Sequence, residues 1–121
     1  MDKIKDGQII VLTERINKNL QKDWTVKELF ESIGISEPHL QKKFKDATGM
    51  SPMKYIKHLR LEKAAELLTD REFLPIQQIC QKVGINDQTH FTRDFKKKYG
   101  KTPTQYSKDF WNNYSAEKKN A

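Results

Sequence analysis

The sequence predicts an all-α protein of about seven helices, arranged as two helix-turn-helix units in tandem. Three observations lead there. Apolar residues recur every three or four positions through nearly the whole chain, with no alternating, strand-like stretch. Hydroxyl caps, prolines and glycines punctuate it at helix-length intervals. A pattern in the first half then returns about fifty residues later. At 121 residues the chain has room for one ordinary domain, or for two small subdomains sharing a linker, each with little core of its own.

The elements follow in order. Ile9, Leu12, Ile16 and Leu20 form a first helical stripe. Thr25, with Glu28 three residues on, makes a capping box that opens a short helix with Val26, Leu29, Phe30 and Ile33 inward, and Gly34 stops it. Ser36 caps the next helix, with Glu37 and Pro38 in its first turn and Leu40, Phe44 and Ala47 buried. Gly49 ends it, and Ser51 with Pro52 starts a long helix reaching about Leu68. Apolar residues surround this helix on more than one side, so it wants more than one packing partner, and its length of about 25 Å suits a spacer. Beyond the polar loop from Thr69 to Glu72, Pro75 opens a short helix with Ile76, Ile79, Cys80 and Val83 inward, stopped by Gly84. A helix from about Asp87 carries Phe91, Phe95 and Tyr99 and ends at Gly100. Thr102 with Pro103 begins the last helix, which places Tyr106, Phe110 and Tyr114 at spacing four. The small, polar stretch from Ser115 to Ala121 reads as a frayed tail. The resulting division is 7–51, a linker helix over 52–68, and 69–114.

The repeat carries the functional argument. Val26, Leu29, Gly34 and Ile35 answer to Ile76, Ile79, Gly84 and Ile85 at an offset of fifty. After one inserted residue, His39, Leu40, Phe44, Lys45, Gly49, Ser51, Pro52 and Tyr55 answer to His90, Phe91, Phe95, Lys96, Gly100, Thr102, Pro103 and Tyr106. Two helices meeting steeply through a few residues need a position at positive φ, which glycine supplies. In a helix-turn-helix the second helix enters the major groove with its N-terminal residues toward base edges. With Leu40 and Phe44 inward, Pro38, His39, Gln41, Lys42 and Lys45 are left facing outward. Gln41 can pair with adenine, and Lys42 can reach guanine or a phosphate. With Phe91 and Phe95 inward, the outward set is Gln88, Thr89, His90, Thr92 and Arg93. The fork of Arg93 matches the two acceptors of guanine, and Lys96, Lys97 and Lys98 lie a turn beyond, suited to phosphates.

Charge agrees with this placement. Lys and Arg number 23 against 16 Asp and Glu, a formal charge of +7. Residues 1–35 are balanced, and the excess sits in Lys42 to Lys45, Lys54 to Lys63 and Lys96 to Lys98. Such runs are commonly no more than solvated helix faces; here the first and the last coincide with the second helices of the two units, and the middle one lies on the linker helix. Other chemistry finds no support. Cys80 is the only cysteine, so no internal disulfide forms and no zinc set can be built. His39, His58 and His90 lack ligand spacing, and no glycine-rich phosphate loop, nucleophile motif or convergent carboxylate pair is present. No enzyme activity, cofactor or metal is expected, and with no bilayer-length apolar run the expected location is cytoplasmic.

The residues resemble the AraC/XylS family of bacterial transcription regulators, from about Thr25 to Tyr106. The resemblance rests on Leu40 to Phe44, Gly49 to Tyr55, Arg60 with Leu61, Ala64 to Leu68, Ile76 with Ile79, Val83 with Gly84, Phe91 to Phe95, and Gly100 to Tyr106. It implies a seven-helix domain with two tandem, homeodomain-like helix-turn-helix units joined by a rigid helix. The chain departs from the family at Cys80, where alanine is frequent, at Ile85, where phenylalanine is frequent, and at Ser107, where arginine often follows the tyrosine. The expected partner is double-stranded DNA, read by a monomer across two successive major grooves about 34 Å apart. RNA polymerase would be a further partner of an activator. The rival readings are a helical module that binds protein or RNA, and the output domain of a larger sensor-regulator.

Overall fold

The computed structural model describes residues 4–119, which form seven α-helices. Among these residues there is no strand. Helix α1 spans Gly7–Lys18, α2 Val26–Ser32, α3 Glu37–Thr48, α4 Pro52–Leu68, α5 Ile76–Val83, α6 Gln88–Tyr99 and α7 Pro103–Lys119. The chain divides into two compact units between Leu59 and Arg60, in the middle of α4.

In the first unit Asp6 caps α1, its carboxylate accepting from the N–H groups of Gln8 at 3.0 Å and Ile9 at 3.3 Å. Ile9, Leu12 and Ile16 are buried together with Leu29 of α2, Leu40 and Phe44 of α3, and Ile56 of α4. Leu20 was expected to continue the α1 stripe. The helix instead closes at Lys18, and Leu20 packs on the same core from the turn that follows. The Thr25 box forms in part: the Thr25 hydroxyl accepts from the Glu28 N–H at 3.1 Å, while the Glu28 carboxylate accepts from that hydroxyl and pairs with Lys22. Trp24 packs at the edge of this core and donates its indole N–H to the Asn19 carbonyl at 2.9 Å.

The second unit repeats the plan. Leu61, Ala64, Ala65 and Leu68 of α4 bury against Ile79, Cys80 and Val83 of α5 and against Phe91 and Phe95 of α6. Phe95 meets the rings of Phe91, Tyr99 and Tyr106 at centroid distances of 5.7, 4.5 and 5.3 Å. The three positions that depart from the family resemblance have visible packing. Cys80 is a buried free thiol, Ile85 packs against the core, and the Ser107 hydroxyl donates to the Leu68 carbonyl at 3.0 Å, tying α7 to the end of α4. Burial pushes the Cys80 thiol pKa up, which keeps it protonated and inert.

The C-terminal end differs from the sequence reading at one point. The stretch read as a tail from Ser115 lies within α7 as far as Lys119, consistent with the helix-forming residues it contains; Asn120 and Ala121 lie outside the described residues. Of the three aromatics at spacing four, Tyr106 packs on the core, whereas Phe110 is 41% exposed and meets the ring of Trp111 at 5.0 Å. Trp111 turns instead toward Phe73, ring to ring at 4.8 Å.

Candidate nucleic-acid interface

Each unit presents one helix by the same local device. Helix α2 ends with Gly34 at φ 68°, where the Ile35 N–H reaches back to the Phe30 carbonyl at 3.1 Å and the Gly34 N–H to that of Glu31 at 3.2 Å. Helix α5 ends alike, with Gly84 at φ 81°, the Ile85 N–H on Cys80 at 2.9 Å and the Gly84 N–H on Gln81 at 3.3 Å. This paired closure satisfies the last carbonyls and turns the chain sharply. Ile35 and Ile85 then pack onto their respective cores, locking the turn.

The next helices are capped and stopped in register. Ser36 accepts from the His39 N–H at 3.4 Å, and Asp87 from the His90 N–H at 3.1 Å. Gly49 and Gly100 adopt φ of 80° and 78°, their N–H groups bonded to the Lys45 and Lys96 carbonyls at 2.8 and 2.7 Å. Pro52 and Pro103 are buried at the starts of α4 and α7.

At about 100° per residue, Lys42 stands on α3 opposite the midpoint of the buried Leu40 and Phe44. Pro38 and Lys45 flank it on one side, His39 and Asp46 on the other, and all five are exposed. On α6 the same register gives Arg93 opposite Phe91 and Phe95, with Thr89 and Lys96 on one side and His90 and Lys97 on the other, again all exposed. Gln41 and Thr92 share a half-buried flank, and Gln88 is exposed in the first turn of α6. All twelve residues expected to face a ligand are thus at least partly accessible, five on the first unit and seven on the second. Within each unit they gather on one helix: Lys42 with Pro38, His39 and Lys45, and Arg93 with Thr89, His90, Lys96 and Lys97, form the outermost ridges, and Gln41, Thr92 and Gln88 the margins.

The two ridges differ in charge. Helix α6 carries four cations against the single carboxylate of Asp94, whereas α3 carries three against Glu37 and Asp46. One of the α3 cations is also withdrawn: Lys43 lies 3.1 Å from Asp6 and bonds the Gln8 side chain, which ties α1 to α3. In the basic run from Lys42 to Lys45, Lys43 sits toward the flank by helical period, the one signal in the sequence that it differs from its neighbours. A second feature was missed altogether. The Asp87 carboxylate caps α6 with one oxygen and places the other 3.0 Å from His90 Nδ1. An aspartate three residues before a histidine at a helix start is the pattern that would have revealed it. The backbone N–H of His90, with smaller help from the Thr89 N–H and the charge of Arg93, holds the Asp87 carboxyl below its ordinary range. Among the described residues no group of three or more His, Cys, Asp or Glu side chains could hold a metal ion, and no helix is long and apolar enough to cross a membrane.

Two capped helices, each offered by a glycine turn and each exposing a cationic ridge, define a protein with two helix-turn-helix units. Residues 29–109 match the family model described as a helix-turn-helix domain, and the chain belongs to the AraC-type helix-turn-helix family of transcription regulators. It is 28% identical over 105 residues to the HTH-type transcriptional regulator MtrA of Neisseria gonorrhoeae, covering 87% of this chain and 35% of that protein. It is 35% identical over 95 residues to the lactose operon transcription activator of Staphylococcus xylosus, covering 78% of this chain and 34% of the activator. The chain therefore spans about a third of the length of these curated relatives. Among solved structures it is similar to the C-terminal domain of AraT, a response regulator from Geobacillus stearothermophilus, with TM-score 0.79, 31% identity and coverage of 89% and 88% of the two chains. The DNA-binding domain of AdpA, solved with a target DNA, shares the fold at TM-score 0.79 and 18% identity, covering 88% of this chain and 94% of that one.

Proposed function

We propose that this chain is a sequence-specific reader of duplex DNA that places α3 and α6 in successive major grooves and so regulates transcription. The observation that carries the proposal is the shared register of the two ridges. Most of the residues that repeat hold the turn and the core, and apart from Pro38 and the carboxylate of Asp46 the residues left outward on the two ridges are cations and hydrogen-bonding side chains. Arg93 is the principal base reader, its fork facing the acceptor pair of guanine. Lys42 takes the equivalent place in the first unit. Lys45, Lys96 and Lys97 lie further along their helices and clamp phosphates. Because both readers belong to one chain, a monomer suffices, and the site has no two-fold symmetry.

Selection from a random duplex library at about physiological salt tests this, followed by titration of the enriched site across salt. The expected result is two specified blocks about one helical turn apart, unlike in sequence, with affinity falling steeply as salt rises. A palindromic site would overturn the monomeric reading. Absence of any enrichment, with preferential capture of RNA or a protein instead, would overturn the DNA reading.

A further inference from the structure

We infer that Asp87 fixes which nitrogen of His90 carries the proton, and that His90 consequently reads an amino-bearing base, adenine or cytosine, in the half-site bound by α6. The inference rests on the DNA-reading function proposed above and assigns a specificity determinant within it.

The geometry begins at the helix cap. Asp87 Oδ1 accepts from the His90 backbone N–H at 3.1 Å, and Oδ2 lies 3.0 Å from His90 Nδ1. An ionised carboxylate only accepts hydrogen bonds, so Nδ1 must be the donor. In a neutral imidazole the other ring nitrogen, Nε2, then keeps its lone pair and is an acceptor. The His90 side chain is 58% exposed and shares the outer ridge with Arg93, one turn further along α6. In the major groove the only donors are the N6 amino group of adenine and the N4 amino group of cytosine, whereas guanine N7 and O6 and thymine O4 are acceptors. An acceptor Nε2 matches the first pair and sets lone pair against lone pair with the second.

The repeat supplies an internal contrast. His39 occupies the same register on α3, but its cap is Ser36, whose single hydroxyl oxygen accepts from the His39 N–H at 3.4 Å. A serine offers no second oxygen to hold the ring. His39 can therefore present either a donor or an acceptor, and the two histidines, identical in type and position, read differently. Replacing Asp87 by serine gives the second unit the cap of the first; serine is as good an N-cap as aspartate, so the helix keeps its start.

The test has two arms, both at about pH 8, above the ordinary imidazole range. Ring-nitrogen chemical shifts of the full chain, without DNA, report the tautomer. His90 is expected as the Nδ1–H form, and Asp87→Ser is expected to remove that bias while leaving the melting temperature close to that of the parent. A predominant Nε2–H form of His90 in the parent chain overturns the inference, whatever the protein binds. Library selection is the second arm. His90→Ala locates the base position concerned, as the one whose preference disappears. There the parent is expected to favour adenine or cytosine by about ten-fold, and Asp87→Ser to flatten the preference to about two-fold with other positions unchanged. A parent preference for guanine or thymine, an intact preference in Asp87→Ser, or a uniform loss on all sequences in His90→Ala overturns it. Failure of the parent to enrich any duplex would instead sink the DNA reading, and the spectroscopic arm would still report on the clasp.

Discussion

Asp46 is an exposed carboxylate on the ridge of α3 at the position that Lys97 holds on α6, so Asp46→Lys asks whether the two ridges do the same work. If both face the phosphate backbone, the substitution adds one phosphate contact and removes one repelled anion. Each phosphate contact adds about 0.9 to the slope of log affinity against log salt. Across a four-fold change in salt, from about 50 to 200 mM, one added contact thus makes affinity fall about 3.5-fold further than in the parent. At low salt the gain is about three- to ten-fold, the scale of one or two exposed charge interactions of up to about 1 kcal/mol each. The fold should tolerate the change, because a cation in the last turn of α3 suits the helix dipole better than a carboxylate does. Fluorescence anisotropy on the selected site over a salt series reads slope and affinity together, and thermal unfolding checks the fold. An unchanged slope in a variant that melts like the parent would refute the placement of this ridge against phosphates.

Three further outcomes follow from the geometry. Arg93→Ala should cost about 1 to 3 kcal/mol at one base position, whereas Lys97→Ala should weaken binding on all sequences alike; equal, sequence-blind losses from both would count against the division into reader and clamp. Gly34→Ala meets no atom within 4 Å, yet places a side chain at φ 68°, so thermal unfolding should show a loss of about 1 to 2 kcal/mol, while Gly7→Ala, at a helical start with equally open space, should gain about half a kcal/mol. The carboxyls of Asp87 and Asp109 lie below their ordinary value of 3.8, held there foremost by the His90 backbone N–H and by Lys101 respectively. Their folded pKa values are depressed, so their stabilisation is in place above the unfolded value and is lost as pH falls through the folded ones. Melting temperature should therefore drop below about pH 4, and a double Asp87→Asn, Asp109→Asn variant should show a shallower drop.

Much of this architecture is legible in the chain because its punctuation is local. Thr25, Ser36 and Asp87 cap helices that begin at the next residue, and Gly34, Gly49, Gly84 and Gly100 all adopt positive φ at helix ends. A cap or stop needs only its own few neighbours, so a reader of sequence sees the whole cause. The inward stripes follow for the same reason: Leu40 with Phe44 and Phe91 with Phe95 are separated by one turn and are buried together. What escaped depends on distant partners. Lys43 belongs by sequence to a basic run, but Asp6, at the far end of the first unit's chain, claims it. Phe73 lies at the end of a polar loop in a left-handed conformation with φ 53°, and only the arrival of Trp111 on α7 explains where its ring goes.

The distribution of sameness and difference between the two units bears on what they read. Leu40 and Phe91, Phe44 and Phe95, Gly49 and Gly100, and Pro52 and Pro103 are either identical or exchange one apolar side chain for another, and each pair occupies the same structural place. The pairs that change character are outward: Pro38 against Thr89, Lys42 against Arg93, and Asp46 against Lys97. Thr89 has a hydroxyl where Pro38 has neither donor nor side-chain acceptor, and Arg93 is a planar fork where Lys42 is a point charge. Even the shared histidine is set differently, by a carboxylate in one cap and a hydroxyl in the other. A scaffold that repeats while its outward face does not is suited to two unlike base sequences. On the proposed reading the two half-sites should therefore differ in the selected DNA, and the second, met by the arginine and the larger number of cations, should be the one whose mutation costs more.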